Sequence, residues 1–80
     1  MNVSQAVIRR IFELCDEREL TINALSISAG ITQSTVNDIV NGSTHNTGIV
    51  TLSKLCDGLN ISVRHFFDSE LFDGLEQELD

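Results

Sequence analysis

The sequence predicts a small all-α domain. Three observations carry that expectation: apolar residues recur at a helical period along the chain, no stretch alternates apolar and polar as a half-buried strand does, and none of the 80 residues is proline.

The first helix is expected to start after Asn2, with Gln5 completing a capping box, and to end near Arg18; Val3, Val7, Ile11 and Leu14 form its apolar stripe. Thr21 suits the N-cap of a short second helix containing Leu25 and Ala29, which Gly30 ends in the left-handed conformation. Thr32 suits the N-cap of a third helix with Val36 and Ile39 on its inner face, stopped by Asn41-Gly42. The polar loop Ser43-Thr44-His45-Asn46 leads to a fourth helix in which Ile49, Leu52, Leu55, Cys56 and Leu59 recur at helical spacing. Asn60 closes it, and Ser62 caps a short fifth helix carrying Phe66 and Phe67.

A chain of 80 residues with 41% hydrophobic residues suffices for one small core. Net charge is −7, unevenly spread. Residues 1–68 hold all five basic residues and seven acids, whereas residues 69–80 hold Glu70, Asp73, Glu76, Glu78 and Asp80 and no base. The expected division is therefore a domain over 1–68 and an acidic C-terminal tail over 69–80. Within the tail, Leu71, Phe72, Leu75 and Leu79 suggest a short amphipathic helix, packed on a second subunit or back on its own domain.

Cys15 and Cys56 form no CxxC pair and accompany no secretory signal, which argues against a disulfide framework or a zinc ribbon and for a reducing, cytoplasmic address. No apolar run approaches the length of a membrane span. His45 and His65 lack carboxylate or cysteine partners at ligand spacing, no serine or cysteine has a recognisable nucleophile setting, and the glycines read as caps rather than a phosphate-cradling loop. Neither an enzyme nor a cofactor is expected.

The second and third helices make a steep pair over a tight turn. Such a pair needs a small residue at the crossing, a glycine at the turn and branched apolar anchors beyond it, which Ser26, Gly30, and Ile31 with Val36 and Ile39 supply. That geometry turns Gln33, Ser34, Asn37 and Asp38 outward.

From about Ile11 to Phe67 the chain resembles the Cro and phage-repressor type of helix-turn-helix protein, the XRE family of small regulators. The resemblance rests on Leu20-Thr21, Leu25 with Ser28 through Asn37, Ile39 with Asn41-Gly42, Leu52 with Leu55-Cys56, and Leu59 through Val63 with Phe66-Phe67. It implies a compact five-helix, lambda-repressor-like domain with the helix-turn-helix at helices 2 and 3. It further implies base-edge contacts from Gln33, Ser34, Asn37 and Asp38. A glutamine amide suits the N6 and N7 edge of adenine, and an aspartate can only accept, as from cytosine N4. Thr32, Thr35 and the loop Ser43, Thr44, His45 and Asn46 would face phosphates.

Three departures stand out. Ile22 occupies a position where many members carry a phosphate-gripping glutamine. Cys15 and Val40 stand where many carry an arginine and a glutamate that pair; both halves are apolar here, which keeps the interior consistent and assigns Cys15 to packing. Between Glu19 and Ser53 there is no lysine or arginine at all. Only Arg9, Arg10, Arg18, Lys54 and Arg64 remain, with Arg9 and Arg10 the residues expected near a groove edge or on solvated surface. Each phosphate neutralised adds about 0.9 to the salt slope, so single-domain affinity should be weak and a homodimer spanning two half-sites would be needed. The leading expectation is a regulator of transcription, a repressor, on double-stranded DNA. The alternative is a protein-interaction module, antitoxin-like or a co-regulator, that offers a protein partner Ile22 and Ile27, both expected exposed on the second helix.

Overall fold

The computed structural model describes residues 1–78 as five α-helices and a terminal 3₁₀ turn. The helices are α1 (Val3–Glu17), α2 (Ile22–Ala29), α3 (Gln33–Val40), α4 (Ile49–Leu59) and α5 (Val63–Phe67), and the turn spans Glu70–Phe72. Among the described residues there is no strand, only an isolated parallel bridge between Asn2 and Glu76.

Local chemistry sets the helix ends. The Asn2 side chain accepts from the Gln5 N–H while the Gln5 side chain accepts from the Asn2 N–H, both at 2.9 Å, closing the capping box of α1. Thr21, Thr32 and Ser62 accept from the N–H groups of Ala24, Thr35 and His65 in the same manner. At the other ends Gly30 (φ 71°) and Asn60 (φ 58°) adopt the left-handed conformation, releasing the chain from α2 and α4.

Phe66, Ile11, Leu14, Leu25, Leu55, Leu59, Val36 and Cys56 fill the centre. α2 packs chiefly on α4 and α3. Gly58 makes its approach to α4 possible: a Cβ there would lie 2.9 Å from the Ala29 backbone nitrogen and 3.0 Å from its Cα. Gly58 is thus a contact residue within α4 rather than a cap, contrary to the sequence expectation for the glycines. Ser26 is buried at the crossing, its hydroxyl donating to the Asn23 carbonyl at 2.7 Å.

Arg10 departs furthest from expectation. It is 6% exposed, its Nε donating to the Phe66 carbonyl at 2.7 Å and its Nη2 to the carbonyls of His65 at 2.9 Å and Asp68 at 3.4 Å, while Nη1 pairs with Glu13. It lies one turn beyond Ala6 and one before Leu14, so the helical period carries it to the inner face of α1, where its planar fork satisfies the carbonyl end of α5. Arg18 does similar work for α4, donating to the Leu59 carbonyl at 3.0 Å.

Three apolar positions also differ. Ile49 is 68% exposed, because it starts α4 on the side away from the core, and Val3 is exposed at the start of α1. Ile22 is half-buried and packs against the core, whereas Ile27 is 75% exposed. Cys15 and Cys56 are both buried free thiols, pushed above the ordinary cysteine pKa by burial, and Val40 packs partly buried against the same core.

Residues 69–78 form no α-helix. Gly74 takes φ 64°, and after the 3₁₀ turn the chain runs as a strap along the start of α1. Phe72 joins Phe66 and Phe67 in an aromatic cluster, with ring centroids 6.1 and 4.8 Å away. The Glu76 N–H donates to the Met1 carbonyl at 3.0 Å, and Glu76 Oε1 accepts from the Met1 ammonium at 2.9 Å. Leu79, the last residue of the tail's expected apolar row, lies outside the described residues.

Candidate nucleic-acid interface

α3 is held by its inner face and leaves the other free. Val36 and Ile39 are buried, so the helical period turns Gln33, Ser34, Asn37 and Asp38 outward, and all four are exposed. Three amide or hydroxyl side chains and one carboxylate thus share a surface anchored by two branched apolar residues. No hydrogen bond to another described residue occupies the side chains of these four. Their donors and acceptors remain available to a ligand.

Thr32 and Thr35 stand at the N-terminal end of α3. Thr32 Oγ1 accepts from the Thr35 N–H at 3.2 Å and shares a hydrogen bond with Thr35 Oγ1 at 2.8 Å, so both hydroxyls are partly committed to capping. The loop after α3 is drawn back over it. The Thr44 N–H donates to the Asp38 carbonyl at 3.1 Å, and the Asn41 side chain accepts from the Ser43 N–H at 2.9 Å. Ser43, His45 and Asn46 are exposed and Thr44 is half-buried. The His45 carbonyl accepts from the Ser4 hydroxyl at 2.9 Å, tying the loop to the first turn of α1.

A polar depression of about 170 Å³ lies between α3 and the start of α4, lined by Thr35, Asp38, Thr44, Asn46, Thr47 and Thr51 among others. The N-cap of α4 is Gly48, which provides no side-chain cap, so the helix's first N–H groups open beside these hydroxyls. Thr47 and Thr51 were not among the residues singled out from the sequence. The signal was present as a Thr-Gly pair directly before Ile49, where the N-cap position lacks a side chain.

The electrostatics are those of a surface without cations. No lysine or arginine lies between residues 19 and 53. Arg10 and Arg18 are engaged with the carbonyl ends of α5 and α4, leaving Arg9, Lys54 and Arg64 as the exposed bases that make no ion pair with a described residue. Among the described residues no group of three or more His, Cys, Asp or Glu side chains is placed to hold a metal ion, and no helix is long and apolar enough to cross a membrane.

A second surface is apolar. A groove of about 230 Å³ runs between α1 and the 44–49 segment, walled by Val3, Val7, Ile8, Ile49 and Phe67.

Residues 10–68 match the family model described as the Cro/C1-type HTH DNA-binding domain. No curated protein matches the chain.

Proposed function

Because the chain belongs to the family of Cro/C1-type helix-turn-helix DNA-binding domains, we propose that it is a sequence-specific transcriptional repressor, binding double-stranded DNA as a homodimer and reading the major groove with α3. The observation that carries this reading is the outward face of α3. It combines Gln33, Ser34 and Asn37, side chains that hydrogen-bond base edges, and it has no competing partner within the domain.

In this reading Gln33 takes the central base contact and Ser34 and Asn37 flank it, with Asp38 accepting from cytosine where one is present. Thr32, Thr35, Ser43, Thr44, His45 and Asn46 would hold phosphates through hydroxyls, amides and backbone N–H groups. The open start of α4 would add its dipole to that set. Residues 1–68 carry the reading unit and 69–80 are an acidic appendage.

Three exposed bases per protomer that make no ion pair with a described residue limit the electrostatic share of binding: at about 0.9 per phosphate, the salt slope is no more than about 3 per protomer. Pairing across two half-sites about 34 Å apart compensates.

Gln33→Ala tests the reading. Affinity for a selected duplex should fall with an unchanged melting temperature, and retained affinity and specificity would refute the assignment.

One observation favours a second reading as a protein-interaction module. Ile27 is 75% exposed in the middle of α2, while Ile22 packs inward and leaves this face to Ile27 alone. Loss of a protein complex on Ile27→Glu, with DNA binding absent from the parent protein, would select that reading.

A further inference from the structure

Glu78, in the acidic strap, lies beside the loop assigned above to phosphates. The carboxylate of Glu78 accepts from the Ser4 N–H at 3.2 Å, and the hydroxyl of that same Ser4 donates to the His45 carbonyl at 2.9 Å. One serine therefore links the strap's carboxylate to the 43–46 loop. The strap is held there by several contacts: Phe72 packs on Phe66 and Phe67, the Glu76 N–H donates to the Met1 carbonyl, and Asn2 bridges Glu76.

We propose that the docked strap is an intramolecular antagonist of DNA binding, which sets the Glu78 carboxylate against the phosphates approaching the 43–46 loop. The inference rests on the DNA-binding reading given above.

Position and charge balance support it. Glu78 takes up an N–H in the first turn of α1, a place where anions are favoured and where a phosphate oxygen would compete for the same donor. Hydrogen bonding from Ser4, with a smaller contribution from His45, holds the Glu78 carboxyl below the ordinary glutamate pKa, so the group is charged at neutral pH. No lysine or arginine in residues 19–53 offsets that charge. In a domain with a full set of phosphate-binding cations one carboxylate would matter little. Here it stands against three exposed bases, Arg9, Lys54 and Arg64, that make no ion pair with a described residue.

A role confined to capping α1 makes a different forecast. Glu78→Gln separates the two, because the glutamine carbonyl can still accept from the Ser4 N–H and keep the strap docked while the charge is gone. Coulomb repulsion in water gives on the order of twofold per phosphate at about 8 Å, so two or three phosphates brought within a Debye length of the carboxylate would give about fivefold. The full chain and its Glu78→Gln variant are titrated with the duplex most enriched from a random library, at salt concentrations from about 50 to 200 mM. The inference expects the variant to bind about fivefold tighter at the low end, with the advantage shrinking as salt rises. Equal affinities at every salt concentration overturn it while leaving DNA binding intact. If neither protein enriches or binds any duplex at low salt, the DNA-binding reading falls, and the inference with it.

Discussion

Replacing Arg10 by methionine would remove the guanidinium that closes the C-terminal end of α5 and leave a side chain of similar reach. Three carbonyls lose a donor: Phe66 at 2.7 Å, His65 at 2.9 Å and Asp68 at 3.4 Å. The first two are short, charge-assisted bonds, and the position is 6% exposed, so water does not readily replace the guanidinium. At about 1.5–3 kcal/mol for each hydrogen bond to a charged group, the two together set a loss of about 3–6 kcal/mol. Burying the methionine thioether recovers part of this, leaving about 3 kcal/mol. A domain of this size has roughly 4–12 kcal/mol in total, so the change should be large in any unfolding experiment. Urea titration followed by far-UV circular dichroism measures it, and thermal melting should show a fall of roughly 12–24 °C. Arg10→Lys keeps the charge but not the fork, and should fall between the parent and the methionine variant. At a temperature where Arg10→Lys remains folded, its DNA affinity should match the parent's, since the guanidinium faces α5 and not a ligand. A stability loss below about 1 kcal/mol for Arg10→Met, or a selective loss of DNA binding by Arg10→Lys, would refute the structural role.

Gly58→Ala should destabilise by about 1–3 kcal/mol in urea, because the added methyl meets the Ala29 backbone rather than a movable side chain; an unchanged midpoint would contradict the close approach of α2 and α4. Asn2→Ala should cost about 1 kcal/mol by loss of half the α1 capping box, measured in the same way. Glu76 and Glu78 are both held below the ordinary glutamate pKa, the first by the Met1 ammonium and the second chiefly by hydrogen bonding from Ser4. Their folded values lie below the unfolded ones, so strap docking is fully present above the ordinary glutamate range and is lost as pH falls through the lowered values. Carboxyl chemical shifts followed by NMR should titrate below the values in an unfolded peptide; titration at or above those values would contradict the docked strap.

The helix boundaries were legible in the sequence because caps are local. Asn2, Thr21, Thr32 and Ser62 each sit beside the N–H they satisfy, and Gly30 and Asn60 need only their own backbone conformation. The burial of Val36 and Ile39, and with it the outward face of α3, followed from the helical period. What escaped depends on partners distant in the chain. Arg10 is a cation on an apolar face, and only the approach of α5, more than fifty residues on, gives its burial a purpose. Gly58 lies within a helix and has meaning only where the Ala29 backbone crosses it. The row Leu71, Phe72 and Leu75 has helical spacing, but Phe72 is drawn to Phe66 and Phe67 and Gly74 turns left-handed, so the chain leaves the helix after one 3₁₀ turn. The depression at Thr47 and Thr51 depends on how α4 starts beside α3, a tertiary arrangement with only a faint local sign in the Thr-Gly pair.

DNA selection across a salt series would show whether the outward face of α3 reads duplex DNA. The purified full chain is used to select from a random duplex library at low salt, and binding to the enriched duplex is repeated as salt rises, with Gln33→Ala alongside. The expected result is an inverted repeat, loss of enrichment on Gln33→Ala, and a salt slope no steeper than about 3 per protomer. Failure to enrich any sequence, or a slope near the value of about 10 seen for proteins rich in phosphate contacts, would contradict it.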